Sequence, residues 1–116
     1  MRTSQIRLNV DQSDDAVEGI RWEADDSGNP GMHSAKGMIL ALWDAEVRQA
    51  MRIDLWTRDM SIDDMNDFVF QTLVSLADTY HKATNNEAIM AEIKHFAQDF
   101  ADRASKVEQK RTQPRT

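Results

Sequence analysis

Hydrophobic and polar residues alternate along the first part of the chain. Within residues 3–10 the apolar residues Ile6, Leu8 and Val10 alternate with polar ones, and a similar alternation returns within residues 17–24. An alternation with a period of two is typical of a strand that has one buried face. Residues 11–15 and 25–31 follow these stretches and are rich in Asp, Ser, Gly, Asn and Pro, which favour turns. The pattern therefore predicts two antiparallel strands, over residues 3–10 and 17–24.

The next apolar segment is continuous, and it is followed by another alternating one. Residues 38–43 are six consecutive apolar residues, and alternation resumes in residues 51–56 after a polar reversal. Taken alone, residues 38–43 are also compatible with a helix, but their length and their alternating neighbour favour a strand. We therefore expect strands over residues 37–43 and 49–57.

From Ser61 onwards the period of the apolar residues changes to steps of three and four. This is the period of an amphipathic helix. Capping patterns at Ser61 and Thr84 mark two helix starts, so the sequence predicts helices over about residues 62–83 and 86–105. Large apolar residues at helical spacing usually lie in a core, and we assign to the core Met65, Phe68, Phe96 and Phe100.

These elements predict an α+β fold. We expect a four-stranded antiparallel sheet, connected as a meander, followed by two long C-terminal helices that pack on one of its faces. Residues 1–105 should form a single domain, because 116 residues is an ordinary length for one domain. Residues 106–116 are basic and have no apolar periodicity, which predicts a flexible tail.

The distribution of charge bears on which partners this chain binds. The formal net charge is −6, and residues after Ser105 carry four basic groups against one acidic group, which leaves −9 on residues 1–105. An acidic body repels phosphate backbones, so we expect no nucleic-acid partner. The sequence also has no apolar run long enough for a signal peptide or a membrane span, and we expect a cytoplasmic location.

Candidate chemistry is sparse. The chain has no cysteine, and its histidines, at positions 33, 81 and 95, lack the spacing that places two imidazoles on one helical face. Residues 25–29 resemble the start of a calcium loop, but Pro30 and Lys36 occupy the positions where that loop needs Gly and Glu. No nucleophile elbow, phosphate loop or dinucleotide motif is present. We therefore predict no catalytic residue, no cofactor and no metal.

One face of the predicted sheet is the strongest candidate for function. Two helices cover only one face of a four-stranded sheet, so apolar residues on the other face need a different cover. The residues of that face that we single out are Ile39, Trp43, Arg52, Asp54 and Trp56. Aromatic residues and arginine are enriched at interface hot spots, which favours a homo-oligomer or a partner surface. The alternative is a solvated face whose tryptophans are shielded by long charged neighbours.

Three segments carry a resemblance to a known family. They are Gly19-Ile20-Arg21-Trp22-Glu23-Ala24-Asp25-Asp26-Ser27-Gly28, Leu42-Trp43-Asp44 and Arg52-Ile53-Asp54-Leu55-Trp56-Thr57-Arg58-Asp59-Met60. The likeness continues through Phe70-Gln71-Thr72-Leu73-Val74 and Ala83-Thr84. The chain resembles the GldC family of gliding-motility-associated proteins over about residues 3–105, although Ser61 stands where the family often has proline. The resemblance implies a non-enzymatic accessory role in bacterial gliding, with protein partners in the gliding machinery or the secretion system associated with it.

A second resemblance is weaker. The order of four strands followed by two helices is also that of SecB-type export chaperones, with which the chain shares no residue motif. Fold does not imply function. The alternative function is thus a holdase that keeps secreted or envelope clients unfolded.

Overall fold

The structure is a computed structural model that describes residues 1–112. Contacts divide the chain into two compact units, Met1–Met60 with all the strands and Ser61–Thr116 with both helices. The elements are β1 (Ile6–Gln12), β2 (Val17–Ala24), β3 (His33–Ala35), β4 (Gly37–Asp44), β5 (Gln49–Trp56), α1 (Ile62–Thr84) and α2 (Glu87–Thr112). The α+β class is confirmed. The packing of the helices on one sheet face, and the single domain, stay predictions.

The strands form two antiparallel sheets, in the orders β1-β2-β3 and β4-β5. The prediction of one four-stranded meander was therefore wrong. The cause lies at Lys36, which separates β3 from β4 in an otherwise continuous extended segment. Before Lys36 the segment pairs with β2, and after it the segment pairs with β5. The short strand β3 was not predicted, because His33–Ala35 has neither the length nor the alternation of the other strands.

The three-stranded sheet is organised around Ile20. Ile20 lies opposite Val10 of β1 and Ala35 of β3, and it is the largest fully buried side chain. The predicted bounds of β2 are confirmed, whereas β1 begins at Ile6 rather than at residue 3 and continues to Gln12. Leu8 and Val10 therefore do lie in a strand, but Leu8 stays 40% exposed.

A buried threonine joins the two sheets. Thr57 is 3% exposed, and its N–H donates to the carbonyl oxygen of Lys36 at 2.8 Å. The next N–H, that of Arg58, donates to the carbonyl oxygen of Val17 at 3.0 Å, so consecutive amides bind opposite neighbours. The Thr57 hydroxyl also donates to Asp59 at 2.7 Å. This hydrogen bond, followed by the charge of Lys36, holds the pKa of the Asp59 carboxyl below its usual value.

Helix α1 has a defined cap at each end. The Ser61 hydroxyl accepts a hydrogen bond from the N–H of Asp64 at 2.9 Å, as the capping pattern predicts. At the other end Asn85 adopts a left-handed conformation with φ 56°, and its N–H donates to the carbonyl oxygen of His81. The bounds Ile62–Thr84 agree with the predicted 62–83 to within one residue at the C-terminus.

Helix α2 extends further than the sequence predicts. It runs to Thr112, through positions that we assigned to the tail, and residues 113–116 lie outside the described part. Lys110 and Arg111 occupy its last turn, where positive charge stabilises the C-terminal end of the helix dipole. Residues 106–112 are therefore helical in the structure.

The two helices pack against each other, and each has a fully buried alanine. Ala77 of α1 and Ala97 of α2 are both 0% exposed. Nearby, the Lys94 ammonium lies 2.8 Å from an Asp78 carboxylate oxygen, and this hydrogen bond lowers the pKa of Asp78. Phe96, which we placed in the core, is instead 58% exposed. Within residues 1–112 neither helix combines the length and the apolar character that crossing a membrane requires.

Candidate interaction face

The register of β4 and β5 decides which side chains share a face. In this register Ile39 lies opposite Asp54, and Gly37 lies opposite Trp56. Side chains opposite each other in an antiparallel pair point to the same side of the sheet. One side, which we name the tryptophan face, consists of Gly37, Ile39, Ala41, Trp43, Ala50, Arg52, Asp54 and Trp56. The structure thus brings all five candidate residues together.

The two tryptophans remain largely accessible. Trp43 is 61% exposed and Trp56 is 58% exposed, and Ile39 between them is 37% exposed. Isolated apolar residues are common on protein surfaces, but a contiguous apolar patch is informative. Trp43 and Trp56 lie at opposite ends of this face, and Ile39 and Ala41 of β4 lie between them, so the apolar residues form a row along the face.

Arg52 and Asp54 form an ion pair along β5. The Arg52 guanidinium donates to the Asp54 carboxylate through Nε at 3.2 Å and through Nη2 at 3.0 Å. The two residues are two positions apart in one strand, which places both side chains on the same face. Both side chains are about half exposed, so the pair adds little stability. Both groups can therefore form ion pairs with charged groups of another molecule instead.

Arg48 supports the Trp43 end of the face. The Arg48 guanidinium carbon lies 5.7 Å from the centroid of the Trp43 ring, within cation–π range. Arg48 ends the β4–β5 turn with φ 56°, an uncommon conformation for a residue other than glycine. Asp44 starts this turn by accepting a hydrogen bond from the N–H of Glu46 at 3.0 Å. Sequence reasoning missed Arg48, and its only signal was a cation near an aromatic residue in a predicted hairpin.

A cavity borders the Trp56 end of the face. Its volume is about 450 Å³, and its lining residues are Asp15, Ala16, Val17, Asp54, Leu55, Trp56 and Arg58. Arg58 is fixed there by an ion pair with Glu18, at 2.9 Å. The cavity lies between the outer edge of β5 and the start of β2. Because these segments are distant in sequence, no local pattern could have predicted it.

The opposite face of the same sheet is also partly accessible. We name it the aliphatic face, and it consists of Met38, Leu40, Leu42, Met51, Ile53 and Leu55. The alternation that puts Arg52, Asp54 and Trp56 on one face puts Met51, Ile53 and Leu55 on the other, which we expected to be the core side, but only Leu55 is half-buried. Met51 is 58% exposed and Ile53 is 52% exposed. Their exposure could not be predicted from the sequence. Alternation shows which side chains share a face of a strand, but it does not show whether another part of the protein covers that face.

The segment that resembles a calcium loop forms a turn in the structure. Asp25 accepts a hydrogen bond from the N–H of Gln5 at 2.9 Å and pairs with Arg7 at 3.1 Å. The hydrogen bond from Gln5, followed by that from Arg7, lowers the pKa of Asp25. Asp26 pairs with Arg2 in the same way. Within residues 1–112 no group of three or more His, Cys, Asp or Glu side chains is placed to hold a metal ion.

Comparison with known proteins gives one match. A family model described as gliding motility-associated protein GldC-like matches residues 17–106, a range that includes the whole tryptophan face and most of both helices. No curated protein and no solved structure matches the chain. The resemblance to SecB-type chaperones therefore gains no support from these comparisons.

Proposed function

We propose, since this chain belongs to the GldC-like family of gliding motility-associated proteins, that it serves gliding as a non-enzymatic accessory protein that binds other proteins. The proposed contact surface is the tryptophan face. The observation that carries the proposal is the exposure of Trp43 and Trp56, at 61% and 58%, on one uncovered side of a sheet. The proposed partners are components of the gliding machinery or of the secretion system associated with it.

The energetics support this surface. Burying a large apolar side chain contributes ~1.5–3 kcal/mol relative to leaving it exposed. Trp and Tyr side chains also dominate interface hot spots, together with arginine. Trp43 and Trp56 therefore provide two anchors, and Ile39 provides apolar area between them.

The polar pair supports specificity. Arg52 and Asp54 satisfy each other in the free protein, so neither charge is left without a partner there. A binding protein with complementary charges forms new ion pairs with Arg52 and Asp54. A protein with unsuitable charges buries one of these groups without an ion-pair partner. Such penalties discriminate strongly between partners. The face thus combines apolar anchors with a charge pattern that selects among proteins.

The test replaces the gene in a gliding host with one encoding Trp43→Ala together with Trp56→Ala. We expect normal protein abundance and normal circular dichroism, with gliding speed lowered as far as in a strain without the gene. Two hot-spot truncations should weaken binding by roughly a hundredfold or more. The matched control is Phe96→Ala, which removes an equally exposed aromatic residue from α2 and should leave gliding unchanged.

Two results would contradict the proposal. Normal gliding by the double variant would show that the tryptophan face is not needed. Loss of folding in the purified variant would assign the tryptophans to the folding core, since an interface anchor should cost association far more than stability.

A further inference from the structure

The outer edge of β5 is unpaired over most of its length. In the two-stranded sheet β5 pairs on one side with β4, and among residues 1–112 no strand pairs with its other side; the bridge of Val17 to Thr57 comes just after β5 ends. An isolated two-stranded hairpin is marginally stable in water. An open strand edge is also a template for pairing with another chain. The edge of β5 is therefore open to pairing with a partner strand.

The direction of the backbone groups along this edge follows from two hydrogen bonds. The N–H of Thr57 donates towards β4, to Lys36, whereas the N–H of Arg58 donates to the other side, to Val17. Directions alternate along a strand. The N–H groups of Arg52 and Asp54, like that of Arg58, therefore point to the outer edge, while that of Ile53 points to β4.

We propose that two copies of this chain join by antiparallel pairing of β5 with β5, about a two-fold axis at Ile53. Arg52 then lies opposite the partner subunit's Asp54, and Asp54 lies opposite the partner subunit's Arg52. These positions carry the outward N–H and C=O groups, so each forms a hydrogen-bonded pair across the axis. Ile53 meets the partner's Ile53 in a pair without hydrogen bonds, where side chains approach most closely.

Charge selects this register from its neighbours. The two-fold axis has to pass beside a residue and not between two residues. Only then do the outward N–H and C=O groups of one strand lie opposite the outward groups of the other. An axis at Arg52 places two guanidinium groups in contact, and an axis at Asp54 places two carboxylates in contact. Like charges directly opposite each other destabilise a sheet, and opposite charges stabilise it. The axis at Ile53 converts the Arg52–Asp54 pair within one strand into two pairs between strands.

The apolar residues on the aliphatic face agree with the same register. Met51 lies opposite the partner's Leu55, so that apolar side chains face each other on both sides of the axis. Met51 and Ile53 are more than half exposed in the single chain, and both gain apolar neighbours in the pair. Pairing between the two copies runs from Ala50 to Trp56 and stops there, because the outer side of Thr57 is already bridged to Val17 of the same chain. The product is a four-stranded sheet in the order β4-β5-β5-β4.

The proposal does not depend on the tryptophan face binding another protein, and its first test uses the two charges. We expect the wild-type chain to be a dimer by light scattering, and Arg52→Asp or Asp54→Arg alone to raise its Kd roughly ten- to hundredfold. An equal mixture of the two variants should form heterodimers with wild-type affinity, because Arg and Asp then face each other at both positions. A monomeric wild type, or single variants that dimerise as tightly as wild type, would overturn the proposal. A mixture that stays monomeric would also overturn it.

The second test fixes the register without changing any charge. The chain has no cysteine, so Ile53→Cys introduces a single thiol. In the proposed register the two new thiols occupy a pair with Cα atoms ~4.5 Å apart, within the range of a disulfide. We expect a covalent dimer on mild oxidation, seen by non-reducing electrophoresis.

The matched control for the second test is Met51→Cys, which lies on the same face with similar exposure. Two such thiols are four residues out of register, roughly 13 Å apart, and should not couple. Mixed with Leu55→Cys, however, Met51→Cys should couple readily. Cross-linking of Met51→Cys alone as fast as Ile53→Cys would overturn the register and the proposal with it.

Discussion

Replacing Ala97 with leucine should destabilise the helical unit. Ala97 is 0% exposed where α2 packs against α1, so the three additional carbon atoms have no free volume to enter. Overpacking of a tightly packed contact typically costs ~1–3 kcal/mol. For a chain of this size the loss corresponds to a Tm lower by roughly 4–12 °C. Thermal unfolding followed by circular dichroism at 222 nm measures the change.

The control for this prediction is Ala91→Leu in the same helix. Ala91 is exposed, so the same substitution there changes helix propensity by the same small amount and creates no steric conflict. The expected Tm of this control is within about 1 °C of wild type. If Ala97→Leu costs no more than Ala91→Leu, the surroundings of Ala97 are not tightly packed.

Three further predictions concern a cap, a carboxylate and a turn. Ser61→Ala should cost ~1 kcal/mol of stability in urea unfolding, because it removes the N-cap acceptor of α1, whereas Ser75→Ala on the exposed surface of α1 should cost nothing. The lowered pKa of Asp78 means that its pair with Lys94 stabilises the fold above about pH 4 and loses this effect as the pH falls through the lowered value. The difference in Tm between wild type and Asp78→Asn should therefore shrink below about pH 4. Millimolar calcium should leave the Tm unchanged, because Asp25 and Asp26 in the turn after β2 are already paired with Gln5, Arg7 and Arg2.

The elements with a strong local pattern could be predicted from the sequence. The β2 strand and helix α1 have clear periods and clear ends, and their bounds agree closely with the prediction. The C-terminal part of α2 was missed because we required an apolar face to justify order. Its Lys, Glu, Gln and Arg residues have high intrinsic helix propensity, and that preference continues the helix without burial.

The division into two sheets could not be predicted, because it depends on contacts between distant segments. The break at Lys36 is stabilised by Thr57 and by the neighbouring bond from Arg58 to Val17. No window of residues around Lys36 contains that information. The candidate site, too, could be predicted only where it depends on the local pattern. Parity alone placed the candidate residues on one face, but the contact of Arg48 with Trp43 depends on the conformation of a turn.

The junction between the two sheets also bears on the order in which the first sixty residues fold. The pairings of β1 with β2, of β2 with β3 and of β4 with β5 all join neighbours along the chain. The junction instead brings together residues such as Ser13 and Arg58, which are 45 positions apart. Closing a long loop costs chain entropy before any contact repays it, so local hairpins form first. Thr57 therefore belongs to the late step of folding, in which two preformed sheets become one unit.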